Sequence, residues 1–483
     1  MRRIIAIMLA VLLVCSLTTN ALAAEWDIED GDIVIIADEN GQIVMQGEVS
    51  MEDDDPVITG SGDSSITVRT NGAEAVFTIS ELTTYAEDRS VIDIRNGSKA
   101  HLFVVGNNDI GSYSSEYDDS FAAVHVGSAD LTIDGDGYIY ISNEGSAGAV
   151  LGSDEYENFT GSITIQGDVA LEINDDGSDD GAAIGSGQYA DFNGSVHITD
   201  HADVSADSPD RGAGIGSGEE GDFNGAVIID EYAVVYAEGS DDSSGIGAGK
   251  NGSFGGFVRI TDYAEVEVEN DENGSPIGSS NGGDFTGLVI VDGHAFLDLD
   301  LDDSNTDTLI GANDTGVNDG TIIIGGNAYV QGDDEYYDTL GAESEEQIGS
   351  QSKIIIGKDA SIWDYYGEEL EGWTEPFYAS SVEFKDLTEQ EIQSYIDDWS
   401  ASTQKDYQAD DFWSEVVTHI RNATAGNPMI VEAVGREAMP SMVMEAVRES
   451  GVTLLIKWSG GETVVDQADT NLPEAPSYKF KDM

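Results

Sequence analysis

The sequence predicts a mainly β chain: a right-handed parallel β-helix of ~31-residue repeats, followed by a small C-terminal α/β module. An Ile-Gly pair returns at a nearly fixed period, a Phe-x-Gly marker returns with it, and apolar residues alternate between the two. The pairs are Leu151-Gly152, Ile184-Gly185, Ile215-Gly216, Ile246-Gly247, Ile277-Gly278, Ile310-Gly311 and Leu340-Gly341, with glycine spacings of 33, 31, 31, 31, 33 and 30. Phe159, Phe192, Phe223, Phe254 and Phe285 form the second marker, each with Gly two residues on, and Val317 is read as the next member. Self-similarity at such a period marks a solenoid, whose repeats bury their apolar faces only by stacking.

The first element is a leader. Arg2 and Arg3 precede an apolar run from Ile4 to Val14, and Ala21-Leu22-Ala23 makes a small-residue cleavage site. This pattern predicts a signal peptide over residues 1–23 and a secreted or extracellular protein. The only cysteine, Cys15, lies inside it, so the mature chain is expected to have no disulfide. No later stretch has membrane-spanning length.

Residues 24–144 are expected to be irregular β-helix coils, with strands at Ile33–Ile36, Ser65–Val68, Ala75–Ile79, Val91–Ile94 and Leu131–Ile133. Val126-Gly127-Ser128 is read as a degenerate first anchor, because the terminal repeats of a solenoid are atypical. Residues 145–365 are the regular repeats. After each Phe-x-Gly, Val196 and Ile198 flank His197, Val227 and Ile229 flank Ile228, and Val258 and Ile260 flank Arg259. Alternate residues of a strand share a face, so the flanking residues are expected inside and the middle one outside. Val169, Leu171 and Ile173 begin a second series, continued by Ala233, Val235 and Ala237. The Gly-Ile-Gly segment supplies a third, narrow side. Stacking then places Ile163, Val196, Val227, Val258, Val289, Ile322 and Ile354 in one column, with the phenylalanines in another, expected internal.

Composition shifts after residue 366. A linker is expected over 366–386, an α/β module over 387–468 and a flexible tail over 469–483. Ile392, Tyr395, Ile396 and Trp399 make one helical face, and Phe412, Trp413, Val416, Val417 and Ile420 another. Pro428–Val431 reads as a strand, Pro440 opens a helix that Gly451 ends, and a hairpin turns at Gly460-Gly461. Trp413 and Trp458 are expected to pack in the module core rather than form a binding face.

The run Gly212–Gly218, Gly-Ala-Gly-Ile-Gly-Ser-Gly, with the acidic opening Trp26–Ile33 and Asp54–Ile58, resembles exported Gly-Ile-Gly-repeat proteins of Gram-positive anaerobes. The resemblance covers roughly residues 26–365. It implies a β-helical surface or secreted protein, sometimes labelled carbohydrate-binding, with no general catalytic role. The C-terminal segment is similar to a small module appended to secreted proteins of the same bacteria.

Charge narrows the function. With 95 Asp+Glu against 19 Lys+Arg the net charge is -76, which argues against nucleic-acid partners and anionic membranes. Between His101 and Ser352 the only basic residues are Arg211, Lys250 and Arg259, too few for a polyanion lyase. Asn305-Thr306-Asp307 matches one fragment of a polygalacturonase site, but Gly293-His294 lies upstream and no Arg-x-Lys follows, so no catalytic residue is assigned. His197 and His201 lack a third metal ligand.

The acids recur in the loop before each Ile-Gly: Asp175, Asp176, Asp179 and Asp180; Asp207 and Asp210; Asp241 and Asp242; Asp302, Asp303 and Asp307. Stacked coils bring these like charges together, at a cost on the order of 1 kcal/mol per pair even in water. Bound Ca²⁺, a hard cation taking several oxygens, is the candidate cofactor; a solvated acidic surface is the alternative. The expected function is a secreted or cell-surface, non-enzymatic scaffold for binding or adhesion. The first rival is a protein binding a glycan or another cell-envelope component through outward aromatics, among them Tyr189, Tyr232, Tyr263, Tyr336 and Tyr337, with Tyr232 and Tyr263 aligned at a spacing of 31. The second rival is a polysaccharide-active β-helix enzyme.

Overall fold

Three short strands per repeat close one coil, and the closure is tightest at the Ile-Gly corner. In the computed structural model the first face is built from Ser162–Ile165, Ser195–Ile198, Ala226–Ile229, Phe257–Ile260, Leu288–Val291, Thr321–Ile324 and Lys353–Ile356. The second runs from Ala170–Asp175 through Asp203–Ser208, Val234–Gly239, Glu265–Asn270, Phe296–Leu301 and Tyr329–Gly332 to Ser361–Trp363. The Ile-Gly pairs make the third, all parallel and in register. The result is a β-solenoid of about 10 turns with ~31-residue repeats. The structure describes residues 24–115, 120–175, 180–208, 210–240, 242–270, 273–301, 308–313, 315–332, 339–342, 344–363, 377–410, 420, 428–433, 438–450, 452–458, 461–465 and 477–479.

Registry puts each side chain beside its own counterpart. Ile163, Val196, Val227, Val258, Val289, Ile322 and Ile354 pair in sequence and are buried. The five phenylalanines are wholly buried, with ring centroids 5.3, 4.9, 4.8 and 4.9 Å apart. Truncating one of them to alanine would cost roughly 3–5 kcal/mol. The column continues through Asn318, not through the expected Val317, which is 41% exposed. The marker's own spacing explains the shift, since Gly320 stands two residues after Asn318. There the Asn318 amide donates to the Tyr378 carbonyl at 3.1 Å and accepts from Gly320 N–H at 3.2 Å.

The N-terminal end departs from the parallel pattern. Ile33–Asp38, Gly41–Gln46 and Val49–Glu52 form an antiparallel meander at the end of the third face. This closes the stack with a differently wound strand pair. The first corner also differs from expectation: Val124-His125, rather than Val126-Gly127, pairs with Leu151-Gly152.

At the other end Ser381–Phe384, within the expected linker, adds one more strand to the first face by pairing with Lys353–Ile356. Helix α1, Glu389–Asp410, begins with a capping box: Thr388 N–H donates to Glu391 at 2.9 Å and Glu391 N–H to the Thr388 hydroxyl at 3.3 Å. Its apolar face, Ile392, Tyr395, Ile396 and Trp399, lies on the solenoid against Phe257, Leu288, Ile290, Ile323 and Ile355. The Trp399 indole donates to the Gly255 carbonyl at 3.0 Å. The middle strand positions expected to face solvent are therefore buried in the later coils. They point outward, but α1 covers them. Farther on, Pro428–Ala433 pairs parallel with Thr453–Trp458, which pairs antiparallel with Gly461–Val465, and helix α2 spans Ser441–Ser450. Trp413 and the Trp458 side chain lie outside the described residues.

Trp399→Ala is expected to uncover this apolar strip, costing about 3 kcal/mol. The checks are a lower denaturant midpoint, greater binding of a hydrophobic dye and faster proteolysis within α1.

Candidate functional site

The loop edge shows how stacked acids are accommodated. Of the candidate cation ligands, Asp180, Asp207, Asp210 and Asp242 are fully described; Asp176, Asp179, Asp241, Asp302, Asp303, Asp307 and the Asp175 side chain lie outside the described residues. The Gln188 amide donates to Asp180 at 2.6 Å and to Glu219 at 2.5 Å. The Arg211 guanidinium stands 3.5 Å from Asp180 and 3.4 Å from Glu219. Burial pushes the Asp180 carboxyl up to about 7, with the Glu219 charge adding and Arg211 opposing. One coil on, Lys250 meets Asp242 at 2.8 Å, while Asn273 and Asn281 donate to it at 2.9 and 3.0 Å. Burial works against that charge, yet these bonds hold Asp242 below the usual carboxylate range. Like-charge stacking is thus relieved here by fixed cations, side-chain amides and a retained proton. The three basic residues between His101 and Ser352 all pair with carboxylates, for Arg259 meets Asp292 at 2.9 Å.

Tyr232 and Tyr263 do align, as the 31-residue spacing implies. They sit at the turn between the first and second faces, 52% and 51% exposed, in a longer run of rings. His201 stacks on Tyr232 at 5.2 Å, Tyr232 on Tyr263 at 5.3 Å, and Tyr263 on His294 at 4.9 Å. Asp200, Glu231 and Asp262 precede the first three rings in the left-handed conformation, with φ of 59°, 55° and 58°, which turns the rings outward. Each tyrosine face is covered by its neighbours, so the column offers ring edges and hydroxyls to solvent. His197 does not join His201; its Nε2 lies 3.0 Å from Asp230 instead.

A buried charged cluster escaped the sequence reading. His125 stands in the third-face column where later coils carry glycine, beside Asp93 of the preceding coil. Its Nδ1 is 3.3 Å from Asp93, and its Nε2 is 2.8 Å from Glu157 and 4.0 Å from Asp154. Ala122 N–H donates to the other Asp154 oxygen at 2.8 Å, and Asn96 Nδ2 donates to the other Glu157 oxygen at 3.2 Å. Burial alone would lower the imidazole pKa, but Asp154, Glu157 and Asp93 together hold it well above its ordinary value. Burial pushes Asp154 up to about 7. The available signal was a histidine just ahead of the first anchor; the two-residue misplacement of that anchor hid it.

Among the described residues no helix is long and apolar enough to cross a membrane. Comparison of the chain with family models, curated proteins and solved structures gives no match to any of them.

The pH response follows from Asp180. Its carboxyl titrates near 7 in the fold against 3.8 for the ordinary group, so its stabilising proton is fully present below about pH 3.8 and lost as pH rises through about 7. Asp180→Asn is expected to raise the melting temperature at pH 8 by a few degrees and to leave it unchanged near pH 4, as followed by circular dichroism.

Proposed function

We propose that the chain is an exported, non-enzymatic β-solenoid that serves as an extracellular scaffold for binding or adhesion. The observation that carries this reading is the division of labour between faces. Helix α1 covers the later coils of the first face, while the second face keeps an outward surface of rings and carboxylates. Phe296 stacks on Tyr329 at 5.3 Å and Tyr329 on Trp363 at 5.9 Å, beside the outward Glu265 and Glu267. Half-buried hydroxyl contacts hold another ring: the Tyr236 hydroxyl lies 2.5 Å from Glu238 and 2.6 Å from Glu269, with its one hydrogen shared between the two carboxylates. Such a surface is rigid before any ligand arrives, which lowers the ordering cost of binding. Export is supported by the leader over residues 1–23. Calcium enters as a stabiliser of the loop edge through acids other than Asp180 and Asp242, whose oxygens are engaged by Arg211, Gln188, Lys250, Asn273 and Asn281.

The outward rings favour a second reading, a glycan as ligand. Carboxylates accept hydrogen bonds from sugar hydroxyls, and ring edges and faces pack on sugar carbons. The same acidity disfavours polyanions. Tyr232 and Tyr263 would form the rim of that surface, contacting sugar through their hydroxyls.

A glycan array probed with the mature chain, in EDTA and in millimolar Ca²⁺, tests both readings. Retention on neutral or amino-sugar polymers is expected, at least tenfold weaker for the Phe296→Ala/Tyr329→Ala variant and weakened further by Tyr232→Ala/Tyr263→Ala. Absence of binding to every glycan and to isolated cell envelopes would refute them, and turnover of a bound polymer would refute the non-enzymatic assignment.

A further inference from the structure

We propose that His125, Asp154 and Glu157 form a binding site for one divalent transition-metal ion, with Zn²⁺ the best fit. The three offer one ligand atom each, His125 Nε2 and one oxygen from each carboxylate, and these atoms all lie within 4.8 Å of one another. Such a triangle suits an ion that bonds nitrogen and oxygen at about 2.0–2.2 Å. Calcium fits less well, since it takes six to eight oxygens and here one donor is an imidazole.

The surroundings are what distinguish this set from an ordinary ion-pair network. In a metal site each ligand is oriented by a partner on its far side. Here the far nitrogen of His125, Nδ1, faces Asp93 at 3.3 Å, which leaves Nε2 for the ion. The far oxygen of Asp154 accepts from Ala122 N–H at 2.8 Å, and the far oxygen of Glu157 accepts from Asn96 at 3.2 Å. Asn96 is itself fixed, because its carbonyl oxygen accepts from Ser128 N–H at 3.1 Å. Asp93 in turn is paired with Arg95 at 2.9 Å. Each of the three ligands therefore has one polar atom spent on positioning and one aimed at a shared point.

Charge and burial agree. Asp93, Asp154 and Glu157 bring three negative charges, Arg95 one positive, and a dication would make the group neutral with a neutral imidazole. The ligand side chains are only 10%, 16% and 12% exposed. A dication would displace the proton on Nε2 and draw Asp154, now 4.0 Å from that nitrogen, inward. The bend from Ser153 to Glu157 that carries both carboxylates is closed by the Ser153 hydroxyl donating to the Glu157 carbonyl at 2.6 Å. The ion would therefore join three successive coils, through Asp93 behind His125, His125 itself, and the loop after Gly152. It would pin the first irregular coils to the regular stack.

The test uses the mature chain stripped with EDTA, at an ionic strength high enough to suppress loose cation binding to the acidic surface. Zn²⁺ titrated against a chromophoric chelator should fill one site per chain, raise the melting temperature and lose that site in His125→Asn and Glu157→Gln, while His197→Gln retains it. Co²⁺ bound to the unmutated chain should give the intense visible bands of a four-coordinate N/O site. Zn²⁺ binding equal in the His125 variant, or Co²⁺ giving only the weak spectrum of the six-coordinate ion, would overturn the proposal. If His125→Asn loses its β-sheet circular dichroism, the Co²⁺ spectrum and Glu157→Gln decide.

Discussion

Everything in this fold depends on the close approach of successive backbones at the third-face corner. From Gly152 to Gly311 these glycines have φ between 139° and 158°, a region L side chains rarely adopt. A Cβ on any of them would come within 1.8–2.2 Å of the next glycine's carbonyl oxygen. Those carbonyls are occupied: that of Gly185 accepts from Ser153 N–H at 3.0 Å, and that of Gly216 from Ser186 N–H at 3.0 Å. Only a residue without a side chain lets the coils hydrogen-bond at this spacing. The corner fixes the phase of each repeat, and the other two faces inherit it.

In-register stacking then has two opposite consequences. Apolar and aromatic columns gain, because like packs on like, as the phenylalanines inside and the His201–His294 run outside both show. Acidic columns lose, because like charges meet, and the chain responds by breaking its repeat locally. Arg211 and Lys250 are such breaks, Arg211 placed against Asp180 of the preceding coil and Lys250 against Asp242 across its own Ile246-Gly247 corner. Asp180, whose partners do not suffice, keeps its proton to near neutral pH. The cluster at His125 is the largest break, a charged side chain where the later coils tolerate only glycine.

The repeat was legible in the sequence because its cause is steric and local: Ile-Gly and Phe-x-Gly mark positions where one residue type fits. Strand alternation was legible for the inward positions for the same reason. The outward positions were not, because Ile290, Ile323 and Ile355 reflect contact with a helix 34 or more residues downstream, and no period reports that. Their change from His197 and Arg259 to isoleucine was nonetheless a visible sign that something covers the later coils. His125 was missed because an irregular coil, with 27 residues from His125 to Gly152, breaks the spacing on which the reading relied. The ion pairs of Asp180 and Asp242 could not be foreseen, since one joins neighbouring coils and the other closes across the Ile246-Gly247 corner, at distances that only the fold sets.

Removal of one whole coil tests the central claim most directly. Deleting residues 185–215, one period from glycine to glycine, should leave a folded chain with the same β-sheet circular dichroism per residue and cooperative unfolding, because Gly216 and Phe223 inherit the contacts of Gly185 and Phe192. Deleting only 185–199 should abolish the fold C-terminal to the cut. A whole-coil deletion that unfolds, or a half-coil deletion that does not, would contradict a stack whose register is set at the glycine corner.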